Sequence, residues 1–158
     1  MRVKGLFLIA LTCLVFGCSR TPVHHGKNAE QWTKTLHDPD PTTRTTAGRS
    51  LGALGRNAKD AVPDLISALK DSDPKVRATA AEALWSMDSA AKEAIPALIV
   101  ALKDKSAPVR MNAAGALGAI GPEAKEAVPA LAAARNDRDS DVRNAVAKAL
   151  RHITGKKK

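Results

Sequence analysis

A spacing of 33 residues constrains this chain more than any other feature. The stretch Asp71 to Pro96 reads DSDPKVRATAAEALWSMDSAAKEAIP, and its key residues return at that interval. Arg77 has counterparts at Arg44, Arg110 and Arg143, and Asp71 at Asp38, Asp104 and Asp137. Leu84 recurs as Leu51, Leu117 and Leu150, and Pro96 as Pro63 and Pro129. A period of this size held through four copies marks a solenoid, in which each unit buries its apolar face against its neighbours.

Each unit states two helices. Ala29 to Leu36 and Thr42 to Leu54 form the first pair, and Ala61–Lys70 with Pro74–Ser86 the second. Ala94–Lys103 with Ala107–Ile120 and Ala127–Arg135 with Ser140–Ile153 complete the set. Aromatic residues make up only 3% of the chain and alanine is abundant, so helices with small faces can sit close together. In the second helix of a unit, Val76, Ala80, Ala83, Leu84 and Met87 fall on one stripe, and Ile95, Leu98, Ile99 and Leu102 do the same in a first helix. Pro63, Pro96 and Pro129 suit the first turn of a helix, where the amide has no partner. Asp73 and Asp139 suit N-caps, and Gly55, Gly121 and Gly155 stand where helices should stop. The expected class is therefore all-α, an α-solenoid of four helix pairs over residues 29–153.

AVPDLISALKDSDPKVRATAAEALWSM and AVPALIVALKDKSAPVRMNAAGALGAIG resemble HEAT repeats of the short bacterial type also found in phycobilin lyases. The resemblance implies a ladder of hydrogen bonds between units, made by an Asp in the inter-helix turn and an Arg six residues later. The matching pairs are Asp38/Arg44, Asp71/Arg77, Asp104/Arg110 and Asp137/Arg143. The end units look like caps: the first carries Thr42, Thr43, Thr45 and Thr46, and the last has Arg135 where Leu69 and Leu102 stand.

The N-terminus reads differently. Arg2 and Lys4 precede an apolar run from Leu6 to Phe16, too short to span a bilayer and suited to a secretory signal over residues 1–17. Leu14-Val15-Phe16-Gly17-Cys18-Ser19 resembles the lipobox of bacterial lipoproteins. That resemblance implies cleavage before Cys18, lipidation of its sulfur and a place at the cell envelope, with Ser19 favouring the outer membrane in a diderm. Residues 18–28 then read as the lipidated cysteine and a flexible tether, and residues 154–158 as a basic tail.

Chemistry is not evident. Cys13 leaves with the signal, so no cysteine pair remains for a disulfide or metal site. His24-His25 lies in the tether, and His37 and His152 stand at opposite ends. No catalytic set, cofactor motif or metal motif emerges, and the expectation is a non-enzymatic protein. Without Arg2 and Lys4 the chain keeps 23 basic against 16 acidic residues of mixed placement. With export, that balance argues against nucleic acid as a partner. A chromophore-handling role follows only from the lyase resemblance.

Function is expected where units disagree. On the second helices, which line the concave surface in HEAT-like solenoids, residues three and four apart give a column across units. Its candidates for a protein or peptide partner are Arg49, Glu82, Trp85, Met111, Lys148 and Arg151. Trp85 occupies a position held elsewhere by Gly52, Gly118 and Arg151. It reads either as an exposed interface anchor or as a filler folded over Gly118 or Gly52.

Overall fold

The computed structural model describes residues 22–155. The expected signal segment, Cys18 and Lys156–Lys158 lie outside them. The chain begins with a hairpin, β1 (Val23–His24) paired antiparallel to β2 (Lys27–Asn28), turning at His25 and Gly26, both with positive φ. Eight α-helices follow: α1 (Ala29–Thr35), α2 (Pro41–Leu54), α3 (Val62–Ala68), α4 (Pro74–Ser86), α5 (Ile95–Ala101), α6 (Ala107–Ile120), α7 (Val128–Ala133) and α8 (Ser140–Thr154). They form four pairs. The described residues are an α-solenoid.

The hairpin corrects the expectation of a tether through residue 28. Trp32 is buried at 6% exposure, and its indole N–H donates to the His24 carbonyl at 2.9 Å. The Lys27 ammonium sits 4.5 Å from the Trp32 ring centre, and Asn28 closes a capping box with Gln31. Residues 23–28 are thereby part of the first unit.

Local chemistry sets the helix starts. Asp40, Asp73 and Asp139 cap α2, α4 and α8 through their side chains, each followed by the first turn. Ser106 makes no such bond at the start of α6. The first helices are shorter than their apolar pattern suggests. They follow 3₁₀ segments, Gly55–Ala61, Asp88–Ala94 and Gly121–Ala127, that occupy what reads as loop in the sequence. Pro63, Pro96 and Pro129 then sit in the first turns of α3, α5 and α7.

The second helices pack directly on one another, whereas the first helices contact chiefly their own partners and the 3₁₀ segments. The reason is side-chain size. A Cβ at Gly52 would lie 3.3 Å from Ala83 Cα, and one at Gly118 would lie 2.9 Å from Ala149 Cα. Backbone therefore meets backbone between α2 and α4 and between α6 and α8, while between α4 and α6 the Trp85 side chain lies on Gly115. A solenoid with one row drawn closer bends with that row on the inside. Leu51, Leu84 and Leu117 lie fully buried between the rows, with Leu65, Leu98 and Leu131 facing them from the first helices. At the ends, Arg135 is exposed as a cap residue should be, and so are Thr42 and Thr46. Thr45 instead is buried.

The ladder joins these units, with its carboxylates one step out of register from the pairs read six residues apart. Arg44, Arg77 and Arg110 donate through Nε and Nη2 to Asp71, Asp104 and Asp137 of the following unit, at 2.7 to 3.0 Å. Within its own unit each arginine instead reaches a backbone carbonyl of the aspartate, Nη1 donating to the oxygens of Asp38, Asp71 and Asp104 at 2.8 to 2.9 Å. The side chain of each aspartate cannot face its own arginine because it is already turned onto its own loop. Asp71, Asp104 and Asp137 accept the amides of Asp73, Ser106 and Asp139 at 2.8 to 2.9 Å. Asp38 does the same with Asp40.

Burial pushes the Asp71 and Asp104 carboxyls up, but the hydrogen bonds from Arg44 and Arg77 and from the loop amides outweigh it. For Asp137 the Arg110 hydrogen bond is the largest influence. All three end below the ordinary aspartate value. A carboxyl depressed in the fold adds stability above its unfolded pKa, and that stability is lost as pH falls through the folded value.

Two outcomes follow from the ladder. Arg77→Ala, which strands the Asp104 carboxylate, lowers unfolding free energy by about 1–3 kcal/mol, and Arg143→Ala, with no carboxylate ahead of it among the described residues, by less than about 1 kcal/mol. Urea titration of both variants measures this, and equal losses would contradict the offset pairing. The stability gap between wild type and Asp104→Asn begins to narrow below about pH 4, where the unfolded chain takes up the proton first, and closes once the folded carboxyl is protonated as well. Thermal melts across pH read it out; a gap unchanged down to pH 2 would rule out an ionised rung.

Candidate partner-binding groove

Helix periodicity puts Leu84 in the core and turns its neighbour Trp85 aside, at the last turn of α4. Trp85 is 42% exposed, one of the few large apolar side chains left open. Its ring is nevertheless held in place. A Cβ at Gly115 of α6 would stand only 2.8 Å from indole Cδ2 and Cε3, so the indole rests on bare backbone. Both sequence alternatives for Trp85 are thus partly realised: the ring fills space and keeps an open face. The glycine beneath it is Gly115, since Gly52 and Gly118 are already used by Ala83 and Ala149.

The indole forms one wall of a groove of about 590 Å³ between α4, α6 and α8. Met111 and Gly115 line its floor, and Lys148 and His152 come from α8. That volume is in the range of small-ligand and side-chain pockets. Of the column predicted from sequence, Trp85, Met111 and Lys148 meet here, while Arg49, Glu82 and Arg151 are exposed elsewhere along the second helices. The groove carries both signs of charge, with Asp88 and Asp141 against Lys148. Among the described residues no three His, Cys, Asp or Glu side chains converge as a metal site would need.

Asp88 and His152 were not among the expected site residues. Asp88 had a visible signal: it stands in the 33-residue column of Gly55 and Gly121. Those glycines have φ of 54° and 77°, and Asp88 adopts φ 51° in the same role. A residue with a Cβ is disfavoured there, and Asp less than most. Its carboxylate accepts from Arg56 at 2.8 Å across the unit boundary, an exposed pair of small worth. His152 follows Lys148 by one helical turn, so their shared face was readable from spacing.

A wider depression of about 1380 Å³ lies on the opposite side, between α3, α5 and α7, with Val100 72% exposed above it. Its walls are mostly repeated positions such as Pro96 and Pro129 or Leu69 and Leu102. It is the gap left where the first helices spread, whereas the Trp85 groove collects residues that break the repeat.

A profile of HEAT repeats matches residues 29–92 and 63–151, nearly the whole helical region. The chain belongs to the HEAT-repeat family. No curated protein matches the sequence. Among solved structures, this HEAT-repeat chain is similar to an engineered protein (25% identity, TM-score 0.70, covering 80% of this chain and 62% of that one). It is also similar to human deoxyhypusine hydroxylase in complex with glycerol, at 27% identity and a TM-score of 0.65 over 86% of this chain and 46% of that one. The complex of CpcE and CpcF of phycocyanin lyase from Nostoc shares the fold at 24% identity and a TM-score of 0.61, covering 80% and 78%. The chain spans less than two thirds of the length of the first two. HEAT-like solenoids thus occur in enzymes as well as in scaffolds.

The indole's seat yields one expectation and Asp88 another. Gly115→Ala displaces the Trp85 ring, because its Cβ takes the space of the indole, and shifts Trp85 fluorescence to longer wavelength over a constant signal from buried Trp32. Unchanged emission would place the ring elsewhere. Asp88→Gly raises stability by up to about 1 kcal/mol by removing the left-handed penalty, measured by urea titration, and a loss would mean the Arg56 pair outweighs it.

Proposed function

We propose that this HEAT-repeat chain is a non-enzymatic scaffold that binds a protein or peptide in the Trp85 groove. The observation that carries the reading is a half-exposed tryptophan seated on Gly115 and flanked by Met111 and Lys148. Such a rigid aromatic wall beside a flexible Met gives a partner side chain apolar area at low entropic cost. The mixed charges around it suit a polypeptide, which brings both signs, better than a polyanion. The likeness in fold to a designed armadillo repeat protein in complex with the peptide (KR)4, at 19% identity and a TM-score of 0.68 over 77% of this chain and 62% of that one, supports a solenoid surface used in this way.

The reading extends to the envelope. Leu14 to Cys18 supports an acylated Cys18 as membrane anchor, two or more chains giving firm attachment. Among the described residues no helix is long and apolar enough to cross a membrane. Val23, where the docked hairpin begins, is five residues past Cys18. At full extension that separation is about 18 Å, so a lipid anchor would hold the first unit and the groove's solenoid close to the bilayer surface.

Capture from solubilised envelope, with mass spectrometry of what is retained, tests both parts. Trp85→Ala and Lys148→Glu each abolish retention of the partner without lowering stability by more than about 1 kcal/mol. Retention unchanged in both variants would remove the groove from consideration. Cys18→Ser keeps the folded solenoid but moves it from the membrane pellet to the soluble fraction; continued pelleting would refute the anchor.

A further inference from the structure

The ladder leaves one half-rung open, and the structure holds that half-rung in its working pose. In the three complete rungs Nη1 is fixed by two carbonyls of the arginine's own loop. Arg110, for example, donates to Asp104 O at 2.9 Å and Lys105 O at 3.2 Å. Arg143 repeats the arrangement, with Asp137 O at 2.8 Å and Arg138 O at 3.2 Å. Its guanidinium is therefore oriented like the others, and its remaining donors Nε and Nη2 form the same fork. In the other rungs that fork grips a carboxylate at two points. Among the described residues, Nε and Nη2 of Arg143 have no partner.

We propose that this fork, at the C-terminal end of the ladder, receives an aspartate of a protein partner presented in a short acidic turn. The site is separate from the Trp85 groove and does not depend on that reading. Charge favours an acidic visitor: Arg138, whose carbonyl Arg143 holds, is exposed beside the fork, while Asp137 is engaged by Arg110 and Asp139 caps α8. A loop bearing one aspartate needs only the fork. The ladder itself shows the form such a ligand takes, a carboxylate whose other oxygen accepts the amide two residues on.

The probe is the acetylated, amidated tetrapeptide Asp-Ser-Asp-Pro, the sequence of the chain's own turn at residues 71–74, titrated into the folded chain from residue 19 onward. The side-chain Nε–H resonances of the arginines are followed by NMR. The expected result is a saturable shift confined to Arg143, with Arg44, Arg77 and Arg110 unmoved because their forks are occupied. Arg143→Lys, which replaces the planar fork by a point charge, weakens binding at least about tenfold as read from the backbone amides of residues 137–139. Replacing both aspartates of the peptide by asparagine abolishes the shift. Three results would overturn the proposal. The Arg143 signal could move no further than that of exposed Arg49. Acetate or inorganic phosphate at equal concentration could saturate it equally, meaning unspecific anion binding. Or the shift could grow with protein concentration alone and vanish in Asp38→Asn, making a second copy the occupant.

Discussion

The structure depends on a bidentate ion pair repeated at each unit boundary. Each guanidinium holds two carbonyls of its own turn and the carboxylate of the next, and that carboxylate in turn braces its own loop. One residue thus fixes a turn and a neighbour together. The pairs are only partly exposed, 6% and 11% for the Arg110 and Asp137 side chains, so solvent screens them less than surface pairs. Removing one member leaves a shielded charge without its partner, which costs more than the intact pair contributes. With the turns registered in this way, Ala and Gly faces can bring the second helices to backbone contact, and the first helices are left to fan outward.

Much of this was legible because periodicity acts twice. The period of 33 identified the units, and the helical period inside them identified which residues face the core; Leu51, Leu84 and Leu117 are buried as that pattern requires. Pro63, Pro96 and Pro129 marked the first turns of the first helices for the same local reason in every unit. What escaped the sequence was pairing at a distance. Asp71 lies six residues from Arg77 and 27 from Arg44, the repeat carries both spacings alike, and only the direction of its side chain, turned onto the Asp73 amide, decides for Arg44. The hairpin also escaped, because two strands of two residues carry no periodicity. It is held by Trp32, a contact with the His24 backbone that composition cannot register.

The groove followed the same division. Trp85 stood out as a departure from the repeat, and its position beside Leu84 correctly turned it from the core. Its seat on Gly115 depends on how far α6 is advanced along α4, which spacing within one helix does not define. Arg49, Glu82 and Arg151 share the column but not the groove for that reason. Asp88 illustrates a subtler signal. A non-glycine in a glycine column is conspicuous only once the column is known to hold left-handed backbone. Residues that recur therefore account for the framework, and three that interrupt the recurrence, Trp85, Met111 and Lys148, meet at one place on the row of second helices.

The arginines act across unit boundaries, and a double-mutant cycle tests this most directly. Unfolding free energies of Arg77→Ala, Asp104→Ala and the double variant, beside the same cycle for Arg77 and Asp71, give two coupling energies. The predicted result is coupling of about 1–3 kcal/mol between Arg77 and Asp104, clearly larger than that between Arg77 and Asp71. Coupling near zero for Arg77 and Asp104, or a larger value within the unit, would contradict it.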